Sequence, residues 1–270
     1  SCESMHEDVA SIYNQQKAID YKSTFIEGHR DCNNYMLNIF HDWQAQGITS
    51  VLHEESGGYA NNKKSLQGLA AKAEFEGVRI ISGVTVTGFS RDNHGTIKSV
   101  ETNVGDIHCD YVVVAPGPWA KQMWDMLEMP DTISIKNPDT GIISQDIPMW
   151  VYWSLQEGTL GVDPKLQQTN DGKMPPVIHV DTDEPLYSDA DGSLITDKMW
   201  GIYYKPDFNF GGIQGGAAPF IVDKKADSVA VDPYGPESPE FIVGNDFSTM
   251  WVSALAHCQK RFSGTMAQYK

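Results

Sequence analysis

The chain has 270 residues, enough for one large domain or two smaller ones, and 40% of them are hydrophobic, enough for a sizeable core. Against 36 Asp and Glu stand only 20 Lys and Arg, a formal net charge of −16. Nucleic-acid affinity rests largely on cationic side chains that displace counterions, so nucleic acid and anionic membrane surfaces are poor partners for such a chain.

No apolar run approaches the roughly 18 residues of a spanning helix. Ser1 to Asp8 carries Glu3, Glu7 and Asp8 and lacks the basic-then-apolar order of a signal peptide. Cys2, Cys32, Cys109 and Cys258 are far apart with no C-x-x-C, so neither a redox pair nor a zinc knuckle is written. The expectation is a reduced, cytoplasmic protein whose thiols are mostly packing atoms.

Cys2 to Gly47 is mixed and polar. Its clearest element is a helix from about Asn33 to Gln46, where Met36, Leu37, Ile39, Phe40 and Trp43 recur at helical spacing before Gly47. A turn-rich segment, Ser56 to Asn62, leads into a short helix, Ser65 to Glu76, with Leu66, Leu69, Ala70 and Ala73 on one face. Short strands are expected at Val78–Ile81, Val84–Phe89 and Ile97–Glu101, with a turn at Asp92–Gly95 and a continuation at Val104–Ile107. Tyr111–Ala115 is apolar at every position, which predicts a central strand covered on both faces. Pro116-Gly117-Pro118 breaks it, and Trp119 to Met129 reads as a helix whose N-terminus could face an anionic ligand.

Ile133 to Gly216 is strand-rich, with strands expected at Met149–Leu155, Val177–Val180 and Met199–Tyr204 and a turn at Asp189–Gly192. An acidic, proline-containing linker, Asp223 to Pro239, precedes a last helix from about Asp246 to Phe262, with Phe247, Met250, Trp251, Ala254, Cys258 and Phe262 along one side. His257 lies beside that stripe and reads as structural. His179-x-Asp181-x-Asp183 places three potential metal ligands on one strand face, a pattern met more often as a polar edge, and no metal is expected. Asp189-x-Asp191-Gly192 lacks the distal Glu of a calcium loop, and no G-x-S-x-G elbow occurs.

Three stretches give the chain a family likeness: Gly57-Gly58-Tyr59 through Leu66-Gln67-Gly68-Leu69-Ala70 and Gly77-Val78-Arg79-Ile80 to Val84-Thr85-Val86-Thr87-Gly88-Phe89; Asp110 to Ala120; and Gly201-Ile202-Tyr203-Tyr204-Lys205-Pro206 followed by Phe210 to Gly216. In this order they resemble the FAD-dependent D-amino-acid oxidase family, which includes sarcosine oxidase, glycine oxidase and dimethylglycine dehydrogenase. The likeness covers most of 48–262 and corresponds to the middle of a family member.

The resemblance implies an α/β (α+β) fold: a large mixed or antiparallel substrate-domain sheet, plus part of an FAD-binding Rossmann-like domain lacking its N-terminal βαβ unit. The G-x-G-x-x-G of that unit is absent from this sequence. The implied organisation is a helical segment over 1–56, a partial FAD-binding domain over 57–130, a substrate-binding sheet domain over 131–245 and a C-terminal helix over 246–270. The implied FAD contacts are Val86, Ala115, Pro116, Gly117 and Trp119.

Tyr203 matches the family's active-site tyrosine, while Tyr204 should point to the opposite face of its strand. Gln214 falls where sarcosine-oxidase-like members place the lysine that assists oxygen. An amide stabilises superoxide charge far less than an ammonium, so a dehydrogenase or a slow oxidase is expected. The implied reaction is hydride transfer from a C–H next to nitrogen, in a small amine or amino acid, to FAD. A second chain or further segments would complete the FAD site; the alternative is a non-catalytic fragment or interaction subunit that binds no FAD alone.

Overall fold

The computed structural model describes residues 2–149, 157–175, 177–208, 211–218 and 244–270. In chain order, α1 (Cys2–Ala18), β1 (Ser23–Glu27), α2 (His29–Ile39) and β2 (Ser50–Glu54) come first. Next are α3 (Asn62–Phe75), β3 (Val86–Arg91), β4 (Ile97–Thr102), β5 (Ile107–His108), α4 (Ala120–Met126), β6 (Thr132–Lys136) and β7 (Ile143–Pro148). β8 (Glu157–Leu160), β9 (Ile178–Thr182), β10 (Leu186–Tyr187), β11 (Leu194–Thr196), β12 (Trp200–Asp207), β13 (Gly212–Ala218) and α5 (Asn245–Cys258) complete the described elements. The expected strand at Met149–Leu155, the Asp223–Pro239 linker and Phe210 lie wholly or mostly outside the described residues. Every described strand pair is antiparallel.

The chain divides into two compact units, one drawn from 1–60, 155–223 and 241–270, the other mainly from 61–154. The first unit is built on a four-stranded sheet in the order β8-β13-β12-β9. Along β12 the residues alternate, as a sheet with one face on a core requires. Trp200, Ile202 and Tyr204 point into the core with Val180, Leu160 and Ile213, whereas Tyr203 and Lys205 are half-buried on the other face. α5 lies on the core side. Its apolar stripe is buried as the sequence predicts, and so are Ser248, Val252, Ser253 and Leu255, so the helix is enclosed almost all round.

Two helices of this unit end earlier than their apolar periodicity predicts, because distant residues claim their last turns. α2 stops at Ile39 rather than near Gln46: Asn170 Nδ2 donates to the carbonyls of Leu37 (3.1 Å) and Asn38 (2.9 Å), satisfying groups that a longer helix would have bonded itself. α5 stops at Cys258 because Gln259 turns extended, bridges Trp43 and accepts the Tyr204 hydroxyl at 2.8 Å; a 3-10 turn, Lys260–Phe262, follows. Tyr204 therefore does point away from Tyr203, into the core. The unanticipated α1 is polar over most of its length and packs Tyr13 on Phe25 of β1, ring centroids 5.4 Å apart.

β12 and β13 approach so closely that Gly215 has no room for a side chain. A Cβ there would lie 1.9 Å from the Tyr203 carbonyl oxygen, a backbone atom that cannot swing aside. Gly215→Ala is expected to cost about 1–3 kcal/mol as the strands are forced apart. Urea titration of the two proteins checks this, and an unchanged midpoint would show that the ladder yields freely.

In the second unit, β3-β4-β5 form a meander and β6-β7 a hairpin. The turn after β3 falls where the sequence predicts: Asp92 Oδ1 accepts from His94 N at 2.9 Å and Thr96 N at 3.0 Å. Two expectations are corrected here. Val78–Ile81 and Tyr111–Ala115 form no strand. After β5, Cys109 N still bonds Lys98 O, but no described strand then offers a ladder to 111–115, and an apolar run without pairing partners cannot become a strand. Tyr111 and Val113 are 93% and 89% exposed, the reverse of the predicted burial. α4 is also shorter than the Trp119–Met129 helix expected, and a 3-10 turn, Gly117–Trp119, leads into it.

Candidate functional site

The candidate residues fall in two places, one in each unit. In the second unit, Val84 just before β3, Val86 at its start, Val100 of β4, Ile107 of β5 and Tyr111 and Val112 line an apolar cleft of 380 Å³. Val86, facing Thr102 across the ladder, is thus brought together with the stretch predicted to carry the other cofactor contacts. Ala115, Pro116, Gly117 and Trp119 follow Val112 in the chain and do not line the cleft. Ala115 and Gly117 are exposed, Pro116 and Trp119 half-buried, and Gly117 has φ 60°, a conformation that favours glycine.

In the first unit the non-core face of the sheet carries the polar groups. Register places Glu157 of β8, Gly216 of β13, Tyr203 of β12 and His179 of β9 in one row, and Lys205 beside Gln214 in the next. Because Gly216 has no side chain, the Tyr203 ring can lie across β13, two strand spacings or roughly 9.5 Å, toward β8. The Tyr203 hydroxyl donates to Glu157 Oε1 at 2.5 Å, and Gln214 Nε2 donates to Glu157 Oε2 at 3.3 Å. The His179 ring stacks on Tyr203, centroids 5.7 Å apart. Burial, then the Glu157 carboxylate that it bonds, push the Tyr203 phenol well above its usual range, so it stays protonated and donates.

Lys205 is drawn aside: its ammonium sits 3.5 Å from Asp207 Oδ2 and 4.5 Å from the centre of the Tyr59 ring. The sequence reading brought out Tyr203 and Gln214 and missed Glu157. Its one sequence signal is its place just before the Gly158-Thr159-Leu160 strand. Among the described residues no group of three or more His, Cys, Asp or Glu is arranged to hold a metal ion. His257, read as structural, bonds Glu184 Oε2 at 2.8 Å and meets Trp200 edge-on.

Residues 9–143 match the family described as DAO, FAD dependent oxidoreductase. The chain belongs to that family. A bifunctional ThiO/ThiG protein from Synechocystis is 36% identical over 66 residues, 24% of this chain and 10% of that protein. The L-proline dehydrogenase of P. horikoshii superposes with a TM-score of 0.42 at 16% identity, covering 80% of this chain and 54% of that one. Glycine oxidase from Bacillus cereus gives a TM-score of 0.44 at 13% identity, over 98% of this chain and 54% of that one. The chain thus spans about half the length of these solved structures and a tenth of the ThiO/ThiG protein. Mixed helix and antiparallel sheet, the fold class expected, is what the chain contains.

The family depends on FAD, and the residues present fit one part of that cofactor. The cleft has the apolar lining and the size for a single flat heteroaromatic ring system, such as the adenine end, and is too small for a dinucleotide. The diphosphate needs converging backbone N–H groups, and the glycine-rich turn that supplies them in dinucleotide-binding folds does not occur in this sequence.

Proposed function

We propose that this chain is the substrate-facing and adenine-contacting portion of an FAD-dependent oxidoreductase that oxidises the C–H next to nitrogen in a small amine or amino acid. The family match over residues 9–143 carries this reading, since it spans both Val86 and Val112 of the apolar cleft. Val86 and Val112 would hold the adenine end, and Ala115, Pro116, Gly117 and Trp119 would border the cofactor further along. When bound, FAD supplies the acceptor for hydride. Tyr203 and Gln214 orient the substrate on the polar sheet face. Gln214 carries a neutral amide where an ammonium would assist the reaction with oxygen, which favours a dehydrogenase or a slow oxidase. Cys32, Cys109 and Cys258 are free thiols, in keeping with a cytoplasmic setting.

Leu66 and Leu69 of α3, each 67% exposed, together with Tyr111 and Val113, leave apolar surface in the second unit uncovered. That supports a covering element, a further segment or a second chain, that brings the diphosphate-binding turn; it equally favours the alternative of an interaction subunit. Quenching of flavin fluorescence on titrating FAD into the purified chain decides whether the cofactor binds unaided. Anaerobic addition of dimethylamine, glycine and proline to the flavin-loaded protein is expected to bleach the flavin band, with slow recovery in air. Flavin that binds yet is bleached by no amine or amino acid would reject the oxidoreductase reading, and a chain that never takes up FAD would be the non-catalytic fragment or interaction subunit.

A further inference from the structure

The polar face of the β8-β13-β12-β9 sheet has a definite hydrogen-bond polarity. A phenol has one hydrogen to give and lone pairs to receive with, a carboxamide has a donor end and an acceptor end, and an ionised carboxylate only receives. Tyr203 spends its hydrogen on Glu157 Oε1 at 2.5 Å, and Gln214 turns its NH₂ to Glu157 Oε2 at 3.3 Å. What remains for a ligand is mostly acceptors: the Tyr203 phenolic lone pairs, Gln214 Oε1 and the unused lone pairs of Glu157, against the second Gln214 N–H and the His179 ring beside Tyr203. A formal negative charge sits among them, on a side chain exposed to the ligand's side of the sheet.

The counter-charge that would invite an anion is engaged elsewhere. On the four strands Lys205 is the one Lys or Arg. Its ammonium is held by Asp207 at 3.5 Å and by the Tyr59 ring at 4.5 Å. Asp181 shares the face, two residues along β9 from His179, and adds negative charge.

We propose that Glu157, Tyr203 and Gln214 form an ammonium subsite that takes the N–H groups of a protonated primary or secondary amine and rejects a carboxylate. The proposal rests on the amine-oxidoreductase reading for its biological sense, and it names which end of the substrate this face reads. Two or three charge-assisted N–H···O bonds onto one carboxylate-centred cluster give the subsite its affinity. A carboxylate placed there would meet the like charge of Glu157 and more lone pairs than donors.

The purified 270-residue chain, without flavin, provides the test. Its tyrosine rings are isotopically labelled for NMR, and the Tyr203 signal is the one lost in Tyr203→Phe. Dimethylammonium chloride is expected to move that signal saturably, sodium acetate at equal ionic strength to leave it in place. Glu157→Gln, an exposed near-isosteric change, is expected to weaken the dimethylammonium response about tenfold or more. Gly216→Ala, checked for native circular dichroism, should weaken it too, by obstructing the path of the Tyr203 ring to Glu157. The proposal is overturned if acetate moves the signal as strongly as the amine, if neither moves it, or if Glu157→Gln responds like the parent. Amines that bleach the flavin without touching Tyr203 would sink this subsite and spare the oxidoreductase reading. A saturable Tyr203 response in a chain whose flavin no amine reduces would do the opposite.

Discussion

Arg261→Met is expected to lower the folding stability of the first unit by about 3–5 kcal/mol, the usual cost of leaving one partner of a buried ion pair alone. Arg261 joins three stretches far apart in sequence. Its Nε donates to Asp42 Oδ2 at 2.7 Å and its Nη2 to Asp42 Oδ1, while Nη1 donates to the carbonyls of Leu166 (2.5 Å) and Gln168 (2.8 Å). Both side chains are largely shielded, at 14% and 11% exposure, so the fork-to-fork geometry is little screened by solvent. The guanidinium also lies over Phe40, 5.5 Å from the ring centre.

The pH dependence follows from the same pair. Burial alone would raise the Asp42 carboxyl, but its bonds to Arg261 outweigh this and hold it below the ordinary aspartate value of 3.8. The unfolded chain therefore binds the proton more readily. The pair's contribution is fully present above the unfolded value and is lost as pH falls through the lower, folded one. Urea midpoints for parent and Arg261→Met should accordingly differ most near neutral pH and converge toward the acid end of that window. The double variant Asp42→Leu/Arg261→Met removes both charges and is expected to lose less than Arg261→Met alone, because no carboxylate is left stranded. Equal losses for single and double variants would show that packing against Phe40, rather than charge, is what the arginine provides.

How far the sequence discloses this molecule depends on whether a feature is local. The buried stripe of α5, the alternation of Tyr203 and Tyr204 and the Asp92 turn are readable because burial on a helix or strand leaves a period in the sequence. The helix ends are not, since the Asn170 cap on α2 and the Trp43 bridge at Gln259 come from 132 or more residues away in sequence, beyond any local pattern. Tyr111–Ala115 shows the limit from the other side: five apolar residues state a demand for burial, and only tertiary structure says whether a partner meets it. Among the candidate site residues, Tyr203, Gln214 and Val86 stand out through the family likeness, not through any pattern of their own. Glu157 depends on a register that lines up β8, β13 and β12, so a residue 46 positions from Tyr203 becomes its hydrogen-bond acceptor.

That register is held from beneath by Trp251, and Trp251→Ala is expected to cost about 3–5 kcal/mol, the range for truncating a buried aromatic side chain. Trp251 is fully buried; its ring stacks on Phe247, centroids 6.4 Å apart, and meets Tyr269 edge-on at 6.3 Å. Its indole N–H points to the Tyr203 carbonyl oxygen at 3.4 Å, so the core touches the backbone of the very residue whose side chain faces the polar side of the sheet. Trp251→Phe keeps an aromatic ring in the stack, gives up the N–H and leaves a smaller void, and is expected to cost less than half as much. Urea unfolding orders the three proteins. The NMR signal of the Tyr203 ring then separates packing from positioning: a cavity under β12 lets the strand settle and should shift that signal in Trp251→Ala more than in Trp251→Phe. If the alanine variant is destabilised as expected while the Tyr203 signal stays in place, the strand is rigid without its support, and the link from core to site fails even though the packing energy stands.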